Sequence, residues 1–124
     1  MTFEPPNFAL RADELDERTA VIRVSGELHA TTAPEFSRRL NEEMEDGHNR
    51  MVLDLTEVEF IDSTGLSVLL NGLRRITRGR GAMVLACANP TVLRLFEITK
   101  LDSTFEILPD CDQAIERIRQ IAAD

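Results

Sequence analysis

From Arg50 to the C-terminus, short apolar runs alternate with segments of helical period, and this limits the chain to few architectures. Residues 51–55 read as a strand. Leu66, Leu69, Leu70, Leu73 and Ile76 recur at helical spacing, and Gly79 closes that segment. Residues 83–87 are apolar again. Asn89 before Pro90 caps and opens a short helix carrying Val92, Leu93 and Phe96. Residues 104–108 read as a strand. Asp110 then caps a final helix with Ile115, Ile118, Ile121 and Ala122 on its inner face. Asp110 and Gln113 have capping-box spacing, with Asp in place of Ser or Thr. Strands joined through helices pair in parallel by right-handed crossovers.

The first 49 residues add a different opening. Residues 1–6 end in Pro5-Pro6 and read as a short tail. Phe8, Leu10 and Ala12 alternate with polar positions as in a half-buried strand, and Asp13 to Arg18 reads as a polar turn. Ala20 to Val24 is a more deeply buried strand bounded by Gly26, so the two pair as a hairpin. Thr32 and Glu35 have capping-box spacing, Pro34 sits in the first turn, and Phe36, Leu40 and Met44 form one apolar stripe that Gly47 ends. The expected order is β-β-α-β-α-β-α-β-α, an α/β mixed, mostly parallel sheet with an N-terminal hairpin and about four helices.

Composition then restricts function. The 124 residues suit a single domain, read here over 7–122. No run approaches the ~18 apolar residues of a membrane span, and the N-terminal ten residues lack the early basic charge of a signal peptide. A cytoplasmic protein without membrane insertion is expected. Fourteen Lys and Arg against 22 Asp and Glu leave a formal charge of −8, which gives no general attraction to nucleic acid. Arg74, Arg75, Arg78 and Arg80 cluster, but without interleaved aromatics they read as the solvated end of a helix. Cys87 and Cys111 match no metal or redox spacing and read as free thiols. A helix N-terminus can lower a thiol pKa, which makes Cys111 a candidate for reactivity.

The densest chemical signal is Val58-Glu59-Phe60-Ile61-Asp62-Ser63-Thr64-Gly65-Leu66. A strand ends, a short loop passes Phe60 and Ile61, and a helix starts near Ser63. This sets an exposed hydroxyl among free backbone N–H groups at the positive end of the helix dipole, where a phosphate is favoured. Asp62 serves either as the N-cap or as a group orienting the serine or a cation. Gly65 costs ~1 kcal/mol relative to Ala in a helix, so something uses its small size, for instance close approach by another surface. Enzyme readings find no support. An extra residue separates this loop from the Asp-Thr-Gly of aspartic proteases. A serine hydrolase needs a base, and nothing sets His29 or His48 beside Ser63; His48 reads as solvated in the turn Asp46-Gly47-His48-Asn49. No glycine-rich phosphate loop, metal cluster or cofactor motif appears.

These residues resemble the STAS domains, and within them the bacterial anti-sigma factor antagonists. The resemblance rests on Val24-Ser25-Gly26-Glu27-Leu28, on Val52-Leu53-Asp54-Leu55 leading into Phe60-Ile61-Asp62-Ser63-Thr64-Gly65-Leu66, and on Asn89-Pro90, Arg94-Leu95-Phe96 and Leu101-Asp102. It covers about residues 7–122. It implies the STAS fold and a partner-switching phosphoprotein. Ser63 would be phosphorylated by a GHKL-type serine kinase that is also the anti-sigma factor. The unphosphorylated form would bind that kinase and free the sigma factor, and a PP2C-type phosphatase would restore it. The resemblance implies a binding face of Glu27, Leu28, His29, Asp62, Ser63, Thr64, Gly65 and Leu66, with Glu27, Leu28 and His29 on the loop after the second strand. Leu66 serves as core or contact. Many relatives carry an aspartate where His29 stands. The alternative role is a constitutive STAS subunit of a lipid-transport ABC system, which needs no phosphorylation.

Overall fold

The computed structural model describes the backbone of residues 7–123 and side chains to residue 121. The expected tail at 1–6 and the inward placing of Ala122 lie outside the described residues. Five strands form one sheet in the order β1-β2-β3-β4-β5: β1 Phe8–Asp16, β2 Thr19–Leu28, β3 Arg50–Ile61, β4 Ala82–Ala86 and β5 Glu106–Leu108. The β1–β2 pair is antiparallel and the other three pairs are parallel. The helices are α1 Ala33–Glu45, α2 Ser63–Arg78, α3 Pro90–Ile98 and α4 Cys111–Ala123. This is the expected order of elements.

Alternation along the strands sorts the core into two layers. Ile22, Val24, Met51, Leu53, Leu55, Met83 and Leu85 pack with Phe36 and Leu40 of α1, Leu66, Leu69 and Ile76 of α2, and Val92 and Phe96 of α3. Val21, Val52, Val84 and Ala86 face the other way, onto Ala114 and Ile118 of α4. Ile115 and Ile121 flank that second layer half-buried, so Ala114 joins Ile118 at the centre of the face.

Several boundaries differ from the expected ones. β1 continues through the segment read as a polar turn, because its charged residues sit on a solvated strand face: Asp13 pairs across to Val21 and reaches Arg23. β2 runs past Gly26 to Leu28, and β3 runs past Leu55 to Ile61. β4 ends one residue earlier than expected, and a single 3₁₀ turn at Leu101–Ser103 precedes a β5 of only three residues. Thr32 does not cap α1 with its side chain. Its hydroxyl donates to the Glu27 carbonyl at 2.7 Å and accepts from the His29 N–H at 3.1 Å, closing the turn out of β2.

Candidate functional site

The ends of β2 and β3 bring the candidate residues to one edge. At Gly26 the backbone has φ +93°, and a Cβ there would strike the Asn7 carbonyl, so glycine alone fits. The β2–β3 register shifts on both sides of Ser25-Gly26, after which Glu27 lies opposite Phe60 and Leu28 opposite Ile61. Glu27, Leu28, Phe60 and Ile61 are therefore strand residues, where the sequence suggested loops; only His29 of the first group lies beyond β2. Leu28 and Ile61 point into the core. Phe60, one residue earlier than Ile61, faces out and is 46% exposed.

Asp62 then opens α2. Its Oδ1 accepts the N–H groups of Thr64 at 2.9 Å and Gly65 at 3.0 Å, the geometry of an N-cap. Two N–H groups that the sequence left free for a phosphate are thus already bound. Ser63 and Thr64 are exposed, and the Ser63 carbonyl accepts the Ser67 hydroxyl at 2.9 Å. Gly65 is buried: a Cβ would lie 2.8 Å from Ile61 Cγ1 and 2.9 Å from the Leu28 carbonyl oxygen. Its small size serves the chain's own packing, not the approach of a second surface. Leu28 is fully buried and Leu66 nearly so. Leu28, Gly65 and Leu66 thus support the edge from beneath, while Glu27, His29, Asp62, Ser63 and Thr64 offer surface on it.

Sequence reasoning missed Phe60 as a surface group because it treated this stretch as a loop. Strict alternation from Val58 would turn Phe60 inward. The extra residue Glu59, opposite no residue of β2, lets Val58 and Ile61 both face the core and Phe60 face out, and nothing in the sequence marks that bulge. The Phe60 ring lies 6.4 Å from the His29 ring, inclined at 54°. The Thr31 N–H donates to His29 Nδ1 at 3.2 Å, so the turn into α1 sets the imidazole's orientation. Among the described residues no hydrogen bond joins either histidine to Ser63.

Elsewhere the structure corrects two expectations. His48 is buried, not solvated: its Nδ1 lies 2.8 Å from Glu43 and its Nε2 3.3 Å from Glu14, tying the end of α1 to β1. As expected of a solvated helix end, Arg74, Arg75, Arg78 and Arg80 are all exposed, and the first three line a groove of about 950 Å³ with Leu40, Leu73 and Leu101. That groove includes none of the candidate residues. Burial pushes the Cys111 thiol up, and the nearby Asp54 carboxylate adds to this, against the downward pull of Arg23. Asn89 caps α3 through the Thr91 N–H and donates to the Val58 carbonyl, joining α3 to β3. Among the described residues no three metal-ligating side chains converge, and no helix is long and apolar enough to cross a membrane.

Comparison with known proteins agrees with this architecture. A family model for the STAS domain matches residues 11–114. An anti-sigma-B factor antagonist of Listeria monocytogenes is 34% identical over 101 residues, which span 82% of this chain and 89% of that protein. The crystal structure of an anti-sigma factor antagonist from Mycobacterium paratuberculosis has a TM-score of 0.85 at 28% identity, covering 94% of this chain and 97% of that one. The Bacillus cell fate determinant SpoIIAA, solved in its phosphorylated form, shares the fold with a TM-score of 0.70 at 21% identity, over 89% of this chain and 99% of its own.

Proposed function

The chain belongs to the STAS domain family, and from that premise we propose that it is an anti-sigma factor antagonist whose binding is switched at Ser63. The unphosphorylated face binds a GHKL-type kinase anti-sigma factor and releases the sigma factor. Phosphorylation of Ser63 by that kinase ends binding, and a PP2C-type phosphatase restores it. The protein acts by binding and not as an enzyme, in the cytoplasm, as one domain over 7–122.

The observation that carries this reading is the setting of Ser63. It is exposed at the first position of α2, with no base bonded to it among the described residues. Such a hydroxyl suits modification by another protein better than catalysis. Curated relatives bear the name of anti-sigma factor antagonists, and a neighbour of the same fold has been solved phosphorylated. A phosphate adds about −1.5 to −2 charges and considerable bulk. Asp62 holds the nearest helix N–H groups, so the phosphate gains few new donors from the chain and stays on the contact surface. A loss of ~3 kcal/mol there lowers affinity more than a hundredfold.

The test uses wild type and Ser63→Asp against each purified GHKL-type kinase of the source organism. One kinase is expected to hold the wild type and to bind the variant at least a hundredfold more weakly, with unfolding midpoints alike. Tight binding by the variant would refute the switch. Equal capture of a transporter ATPase and permease by both forms would move the protein to the lipid-transport role.

A further inference from the structure

We propose that Phe60, braced by His29, is the hydrophobic anchor of this face, and that the partner meets it with an apolar recess rimmed by basic side chains. The inference rests on the reading of the face as the kinase-binding surface.

Phe60 and Ile98 are the exposed large apolar side chains among the described residues, at 46% and 66%. The fold does not need the Phe60 ring, since Val58 and Ile61 supply the core contacts of this part of β3. An outward aromatic on a strand leading directly into Asp62-Ser63, 46% exposed, can bury its remaining ~100 Å² only by docking. Its surroundings are already ordered. β2 fixes the strand beneath it, and the turn that holds His29 is locked by Thr31 and by the buried Thr32 hydroxyl. A rigid anchor loses little entropy on binding, and such aromatics are where interface energy concentrates.

The charge of the rim identifies the other side. Residues 25–32 and 55–68 contain Glu27, Glu57, Glu59 and Asp62 and neither Lys nor Arg. Arg11 and Arg23, which line a recess with Glu57, are paired with Asp13 and Asp54. Glu59 accepts from Asn7 at 3.3 Å, which holds its carboxylate at this edge. The arginines of α2 lie in its second half, from Arg74 onward. A basic rim complements these carboxylates, whereas an acidic or phosphate-rich surface is repelled by them. Against a basic rim the charge added at Ser63 opposes docking through the cost of desolvating it at the apolar anchor's edge, a cost that phosphate and Ser63→Asp share and to which phosphate adds bulk.

The experiment is calorimetric titration of the purified kinase that holds the wild type. Phe60→Ala is expected to weaken binding about thirtyfold or more, while Ile98→Ala binds as wild type. Phe60→Leu should recover part of the loss. Glu57→Gln with Glu59→Gln should weaken binding severalfold at low salt and little at high salt. Wild-type affinity in Phe60→Ala would overturn the anchor. Tighter binding by the double glutamine variant would overturn the basic rim. If no kinase holds the wild type at all, it is the functional reading that fails, and the anchor falls with it.

Discussion

Helices α2 and α4 begin alike. Asp62 takes the N–H groups of Thr64 and Gly65, and Asp110 takes that of Gln113 at 2.8 Å. Each aspartate is followed by a residue with a nucleophilic side chain, Ser63 in one and Cys111 in the other. From there the two ends diverge. Ser63 is exposed beside an outward aromatic on an edge of carboxylates. Cys111 is half-buried against Arg23, which lies 3.4 Å from its sulfur and 3.1 Å from Asp54. The local physics of a helix start is therefore not what makes a site. The surroundings of the first residue decide, and they come from distant strands.

The largest difference between the two ends is at the third helical position, and it is the first place to break the comparison. In α4 that position is Gln113, whose side chain bonds the Asp110 carboxylate at 2.8 Å. In α2 it is Gly65, pressed on Ile61 and the Leu28 carbonyl. Gly→Ala in an exposed helix gains up to ~1 kcal/mol. Here the backbone oxygen cannot yield as a flexible side chain would, so Gly65→Ala is expected to lose about 1–3 kcal/mol by urea denaturation. A stabilised variant would mean that α2 rides more loosely on the sheet than its packing indicates.

Gly65 also illustrates what the sequence could and could not reveal. Its cost to the helix was legible, but its beneficiary was not, since Leu28 lies 37 residues away in the chain (65 − 28). Periodicity was enough for the order of elements and most of the core, because apolar spacing reports burial directly. It failed where strands run into the functional edge. Glu27, Glu57, Glu59 and Phe60 break the apolar signature, yet they lie in strands held by parallel pairing with each other. His48 looked solvated because its neighbours in sequence are polar. Glu14 and Glu43, which enclose it, belong to other elements. Ser63 needed no long-range information, and its place at a helix start is the part of the site that was legible.

The caps themselves sharpen the comparison at a smaller scale. Asp62→Ala is expected to cost about 1 kcal/mol of stability. At the other end, the Gln113 backbone N–H, followed by the Gln113 side chain, holds the Asp110 carboxyl below the usual carboxylate range. A folded pKa below the unfolded one means stabilisation that is complete above the unfolded value of about 3.9 and lost as pH falls through the folded one. The denaturation midpoint of Asp110→Asn should thus fall less than that of wild type between about pH 5 and 2. A parallel decline in the two proteins would show that the Asp110 cap does not persist in solution.

The smallest effect concerns Cys111, the residue that its place at a helix N-terminus made a candidate for reactivity. Dipole and cap favour a thiolate there by tenths of a kcal/mol to about 1 kcal/mol. Burial opposes it, and so does the Asp54 carboxylate, which is itself held by the Thr56 hydroxyl at 2.6 Å and by Arg23. The net direction is upward, so less thiolate is present at neutral pH than in an open cysteine. Alkylation of the Cys111 peptide, followed by mass spectrometry against pH, should be slower than that of an unhindered thiol at pH 7 and should rise with a midpoint above the usual ~8.5. Asp54→Asn removes a charge that disfavours the thiolate and is expected to lower that midpoint. Arg23→Ala removes the one that favours it and is expected to raise it. Fast labelling of the wild type at pH 7 would instead restore the helix dipole as the governing influence. The two helix starts would then be alike in chemistry as well as in geometry, and their different exposure would no longer explain why Ser63 alone is the candidate for modification.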